Sequence, residues 1–183
     1  VYERFQKDIV YTPYFKNGDH VKKGDVLLKI EASYPTLLKG ERLSLNIFQR
    51  MCGIATETAK YVKELAGTST ELLDTRKTTP TMRILEKYAV KTGGGTNHRI
   101  GLFDMILIKD NHVDFAGGIE QAVSRAKEYC KACGKDLKIE VEVRTLEDLQ
   151  KVLDMGGVQR IMFDNFDTEK TRKAVEMVAG RFE

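Results

Sequence analysis

The 183-residue sequence is 42% apolar and carries 30 basic against 27 acidic side chains, a net charge of +3. That supports the core of one domain to a domain and a half. It lacks the large basic excess and stacking aromatics of a nucleic-acid binder, and no apolar run approaches the ~20 residues that a membrane span needs.

The N-terminal VYERFQKDIVYTPYF has no charged-then-apolar leader pattern and no initiator Met, so the chain is expected to begin inside a longer protein. Residues 18–31, GDHVKKGDVLLKIE, alternate around Gly-Asp turns and predict a small β-hairpin. Biotin and lipoate carriers share that texture but present a modifiable Lys at the tip, which is not visible here. Residues 37–65 carry Leu43, Ile47, Met51, Ile54, Ala55, Thr58, Val62 and Leu65 at helical spacing, with Gly53 a possible break and Gly67 the stop.

From residue 70 the pattern turns to strand and helix in alternation. Apolar runs at 70–73, 105–108, 138–143 and 160–163 predict strands; helices are expected over 81–91, 118–133, 146–155 and 168–179. Such alternation predicts a parallel sheet or barrel. With four units visible against the ~200–250 residues of a closed barrel, we expect a truncated one. The fold class is therefore α/β, divided as residues 1–66 (N-terminal portion with its linking helices) and 67–183 (barrel portion). Of three cysteines, Cys130 and Cys133 form a C-x-x-C at a helix end. A redox pair favours a helix start and zinc a second pair, so these are read as incidental thiols of a cytoplasmic protein.

Sites in parallel α/β folds form at the carboxyl ends of strands. There stand Asp74-Thr75-Arg76-Lys77, Lys109-Asp110-Asn111-His112 and Asp164-Asn165, with Glu140 and Glu142 alternating in IEVEV and GGGTNHR supplying His98 and Arg99. Plainer readings stay open: a solvated Arg-Lys turn, a loop cap at Asp164-Asn165, a Glu–Lys109 salt bridge, and a loop histidine. The glycines at 93–95 license a tight turn with bare amides near an anion. Five cations (Arg76, Lys77, His98, Arg99, Lys109) suit a ligand with phosphates or several carboxylates, held by charge-assisted hydrogen bonds. The acids suit Mg²⁺ or sugar hydroxyls.

The segments ERLSLNIFQRMCGIAT (41–56), DTRKTTPTMRILEKYAVKTGGGTNHRIGLFDMILIKDNHV (74–113), IEVEV (139–143) and RIMFDN (160–165) resemble the quinolinate phosphoribosyltransferase family. The resemblance implies an N-terminal α/β sandwich followed by an incomplete TIM-like α/β barrel, paired as a homodimer. It implies a pentosyltransferase condensing quinolinate with phosphoribosyl pyrophosphate to nicotinate mononucleotide, pyrophosphate and CO2, with Mg²⁺, in NAD biosynthesis. Arg42, Arg76, His98, Arg99 and Lys109 would surround the two carboxylates, with Arg42 reaching the partner subunit's site. Thr75 and Lys77 would hold either substrate, Glu142 and Asp164 would bind Mg²⁺ and ribose hydroxyls, and catalysis would rest on Lys109, Glu142 and Asp164. The family's later Ser-Gly-rich loop and Gly-Ala-Leu-Thr-His-Ser segment are not among these residues. The 183 residues alone are therefore expected to be inactive or to depend on those segments. Two rival readings are a paralogue using another carboxylic acid and a non-catalytic scaffold.

Overall fold

The computed structural model describes residues 1–183, which form two compact units, Val1–Ile100 and Gly101–Glu183. The first opens with a 3-10 turn, Tyr2–Arg4, then pairs β1 (Val10–Pro13) antiparallel with β2 (Leu28–Glu31), Val10 facing Glu31 and Pro13 facing Leu28. The expected hairpin is thereby corrected: its first strand lies upstream of residue 18. The Gly-Asp turns fall inside the connection, where the Asp19 and Asp25 carboxylates accept the Lys16 and Lys22 N–H groups, each at 2.7 Å. Two such turns in succession leave no room for a ladder between them.

α1 (Tyr34–Glu64) follows, with Pro in its first turn, where a missing N–H costs nothing. It runs through Gly53 without a break. A mid-helix Gly costs only ~1 kcal/mol, and α1 recovers more by packing on α2 (Arg83–Thr92). That packing explains the three glycines after α2. A Cβ on Gly93 would stand 2.3 Å from the Ala55 carbonyl oxygen of α1, and one on Gly95 3.0 Å from Thr58 Cγ2 of α1 and 2.8 Å from Val90 Cγ1 of α2 itself. Gly94 adopts φ +91. The amides of Gly93, Gly94 and Gly95 donate to the carbonyls of Ala89, Lys91 and Val90. They close α2 and do not face an anion, which corrects the bare-amide expectation. The strand expected at 70–73 is likewise reduced to one parallel bridge, Leu73 to Thr96. Past it the chain turns, as Thr75 Oγ1 accepts the Lys77 N–H at 3.1 Å.

The second unit is a three-stranded parallel sheet in the order β3 (Ile106–Ile108), β4 (Ile139–Val143), β5 (Arg160–Phe163). Glu142 faces Met162 and Leu107 faces Glu140. The helices α3 (Asp110–Ala116), α4 (Ile119–Cys133), α5 (Leu146–Met155) and α6 (Thr168–Val178) alternate with the strands. α3 was not anticipated: its seven residues are too few for a periodic signal, and Gly117 (φ +90) and Gly118 (φ +140) separate it from α4. Val123, Val141, Leu149 and Val152 are fully buried at the centre of the core, where α4 packs on β3 and on α5, and α5 packs on β4. Thr145 and Asp167 cap α5 and α6 by accepting the Asp148 and Lys170 N–H groups. No helix is long and apolar enough to cross a membrane.

Gly93→Ala should destabilise the chain by about 1–3 kcal/mol, because the new methyl overlaps α1 backbone. Gly53→Ala, whose Cβ meets nothing within 4 Å, should stabilise by about 0.5–1 kcal/mol. Urea unfolding midpoints measure both.

Candidate active site

In the first unit, the bridge between Leu73 and Thr96 sets the 74–79 block beside the 96–99 block. Thr96 N–H donates to the Leu72 carbonyl at 2.8 Å and Asp74 N–H to the Thr96 carbonyl at 3.1 Å. The carboxylate of Asp74 then acts as a clamp. Its Oδ1 accepts the Lys87 ammonium and the His98 N–H (2.8 Å), and its Oδ2 accepts the Asn97 amide at 2.7 Å. Lys87 and Asp74 side chains are only 4% and 6% exposed. Lys87 also donates to the His98 carbonyl at 2.9 Å.

Beside it on α2, Glu86 holds the far end of the first block. Its Oε1 accepts Arg50 Nε at 2.7 Å and its Oε2 the Thr79 N–H at 3.2 Å, while Arg50 Nη2 donates to Thr79 Oγ1 at 2.6 Å. Burial works against the charge of Glu86, but the hydrogen bonds from Thr79 and Arg50 outweigh it and hold the carboxyl below its ordinary range. Arg83 ties the blocks once more, donating to Thr78 Oγ1 and to the Ile100 carbonyl, each at 3.2 Å.

This scaffold brings together five of the expected residues: Thr75, Arg76, Lys77, His98 and Arg99. Thr75 and Lys77 are exposed, His98 is half-buried and Arg99 buried. Arg76 is half-buried, and its Nε is sealed from solvent with no hydrogen-bond partner. A buried unpaired donor costs roughly 1–3 kcal/mol. Arg76 is therefore not the solvated turn residue of the plainer reading. Arg42 lies on α1 and is exposed. Sequence reasoning missed Lys87, Glu86 and Arg50. Their one signal was a charged pair, Glu86-Lys87, between Leu85 and Ala89 in a short helix.

In the second unit, Lys109, Glu142 and Asp164 belong to the carboxyl-terminal ends of β3, β4 and β5. Lys109 N–H donates to His112 Nδ1 at 3.0 Å, turning the chain into α3. The two acids of β4 part company. Glu140 is buried and lies 3.6 Å from Arg160, a structural ion pair. Glu142 is half-buried and is pushed above the ordinary carboxylate range, first by burial and next by the nearby Asp164 carboxylate. Lys109 pulls it back, but by less. The loop-cap reading of Asp164-Asn165 is met by a direct contact between the two side chains, while α6 has its own cap in Asp167. Asn165 sits at φ +53 and donates to Asp164 Oδ1 at 3.0 Å, which fixes the turn after β5.

Two carboxylates that repel one another fit a divalent cation. There is no group of three His, Cys, Asp or Glu able to cage one. A pair of carboxylates is the donor set by which Mg²⁺ is commonly held, with further oxygens coming from phosphates. A cavity of about 460 Å³, lined by Glu120, Ser124, Lys151, Asp154 and Met155, includes none of the expected site residues.

Residues 54–183 match the family "Quinolinate phosphoribosyl transferase, C-terminal domain", and residues 1–52 match its N-terminal domain. The chain belongs to the quinolinate phosphoribosyl transferase family. It is 43% identical over 182 residues to the chloroplastic nicotinate-nucleotide pyrophosphorylase [carboxylating] of Arabidopsis thaliana, covering 92% of this chain and 52% of that protein. It is 45% identical over 157 residues to a probable nicotinate-nucleotide pyrophosphorylase [carboxylating] of Bacillus subtilis, covering 86% and 53%. The chain thus spans about half the length of these curated relatives. Among solved structures, NadC from Streptococcus pyogenes superposes with a TM-score of 0.89 at 38% identity, over 100% of this chain and 64% of that one. The corresponding pyrophosphorylase of Francisella tularensis gives 0.88 at 39%, over 97% and 62%. The α/β architecture expected from the sequence is that of this family.

Glu142 offers a charge test. The folded chain keeps its proton to higher pH than the unfolded chain does, so ionisation weakens the fold as pH rises through the ordinary carboxylate range, roughly pH 4. Glu142→Gln should raise Tm near neutrality, and the gain should vanish below roughly pH 4. A gain of equal size at both pH values would assign the effect to packing.

Proposed function

We propose that this chain forms the dicarboxylate- and ribose-handling part of a carboxylating nicotinate-nucleotide pyrophosphorylase, a phosphoribosyltransferase of NAD biosynthesis. The observation that carries the reading is the pairing of two cationic blocks, Arg76-Lys77 and His98-Arg99, in which Arg76 Nε is buried and unpartnered. Cations of that number favour a ligand with two carboxylates over one, and quinolinate has two. Arg76, His98, Arg99 and Lys109 would hold those carboxylates, and Thr75 and Lys77 would hold quinolinate or the phosphoribosyl substrate.

In the proposed reaction the quinolinate ring nitrogen attacks C1 of the ribose as the bond to pyrophosphate breaks. The carboxylate next to that nitrogen then leaves as CO2, and a proton takes its place. Fixed cations favour both steps, because they orient the dicarboxylate before reaction and need no rearrangement as charge separates. Lys109, Glu142 and Asp164 would face the ribose, the two acids holding Mg²⁺ with the substrate phosphates. Mg²⁺ would supply neutralisation of the departing pyrophosphate.

A homodimer with Arg42 entering the partner's site is part of the proposal. In its favour, Arg42 stands on α1 among the exposed apolar side chains Tyr34, Leu38, Leu43 and Phe48, a texture found at protein interfaces. Cys52, Cys130 and Cys133 are free thiols, which suits the cytoplasm, although the Arabidopsis thaliana relative is named as chloroplastic.

Assay of the intact natural protein with phosphoribosyl pyrophosphate and quinolinate should release CO2 and pyrophosphate, with little turnover of nicotinate. Equal use of nicotinate would favour a paralogue. Quinolinate binding without pyrophosphate release would favour a scaffold. Arg76→Ala should weaken quinolinate binding by about 2–5 kcal/mol, read by calorimetry; an unchanged Kd would remove Arg76 from the site. Added Mg²⁺ should raise the Tm of the wild-type protein with pyrophosphate present and should fail to do so for Asp164→Asn.

A further inference from the structure

We propose that Asp74 and Lys87 are positioning residues that aim His98 and Arg99 at the anionic substrate, an inference that rests on the dicarboxylate reading above. Neither side chain is more than 6% exposed, so neither meets a ligand itself. Between them they meet both backbone polar atoms of one residue of the opposing block. The His98 N–H donates to Asp74 Oδ1 at 2.8 Å, and the His98 carbonyl accepts from Lys87 Nζ at 2.9 Å. One ion pair thereby fixes the peptide planes on either side of His98, and with them the directions in which the His98 and Arg99 side chains leave the chain.

Asn97 completes the lock, donating to Asp74 Oδ2 at 2.7 Å and to the Lys87 carbonyl at 2.8 Å. An apolar pair of equal volume often stabilises a fold as well as a buried ion pair does. It cannot hold an N–H and a carbonyl of the same residue. Asp74 also lies two residues before Arg76, so the same carboxylate starts one cationic block and orients the other.

The test uses the intact natural protein with Asp74→Asn, Lys87→Met and Lys87→Arg. Asp74→Asn keeps the shape and one acceptor oxygen but leaves the Lys87 ammonium without its counter-charge, whereas Lys87→Arg keeps the ion pair and is the variant expected to fold if the other two do not. For Asp74→Asn we expect KM for quinolinate to rise on the order of 10–100-fold, the usual penalty for a site displaced by about 1 Å. KM for phosphoribosyl pyrophosphate should stay within about twofold, and amide exchange over residues 96–100 should speed up without any ligand. Lys87→Arg should recover most of the quinolinate KM. Equal rises in both KM values accompanied by a fall in Tm would mean a merely structural pair and would overturn the inference. So would faster exchange with an unaltered quinolinate KM. Wild-type protein that binds no quinolinate would remove the dicarboxylate reading and this inference together, whereas normal wild-type binding with an unaffected variant would remove this inference alone.

Discussion

The first unit depends on a buried ion pair. Among residues 1–100, Ala89 is the apolar side chain that is fully buried, while Glu86, Lys87 and Arg99 are buried charges. Removing two ions from water costs several kcal/mol each, and only good geometry with further hydrogen bonds offsets it. Asp74 and Lys87 meet that condition, since the carboxylate takes two N–H groups besides the ammonium and the ammonium takes a carbonyl. The order of this unit therefore comes largely from directional polar contacts. An apolar core would tolerate small slips of one loop against the other. A hydrogen-bonded pair does not, and the side chains that it aims inherit its geometry.

The second unit works the other way. Its valines and leucines give a dense apolar layer between sheet and helices, and the parallel register brings the ends of neighbouring strands level. The packing of Val141, Val143 and Ile161 holds Glu142 where burial, and after it the neighbouring Asp164 carboxylate, resist its ionisation. The electrostatic tension there is a product of hydrophobic burial, and it is what a cation with phosphate partners would relieve.

Much of this was legible in the sequence, for reasons that differ by segment. The helices expected at 146–155 and 168–179 and the strands expected at 138–143 and 160–163 recur within a residue of those bounds, because their apolar patterns coincide with the buried faces; the caps Thr145 and Asp167 come from the structure. The glycines at 93–95 misled, because their amides are used by α2 and their missing side chains by α1, neither of which a local pattern reveals. The upstream strand β1 was missed because Pro13 and a 14-residue connection hide its pairing. Arg76, Lys77, His98 and Arg99 stand out in the sequence by charge, by their place beside strand ends and Gly turns, and by the family resemblance. Lys87 is not legible as a site residue, because a Lys beside a Glu in a helix normally reaches water. Only the tertiary fold shows that Asp74 lies within its reach.

The adjacency of Glu86 and Lys87 has a mechanical consequence. Successive residues on a helix point about 100° apart, so these two reach different stretches of chain, Thr79 on one side and His98 on the other. α2 is thus a caliper with one rigid stem and two fixed jaws. A tilt of the stem carries both jaws with it and preserves their gap, so the opening between the cationic blocks is measured by one helical residue step and does not vary as two independent loops would.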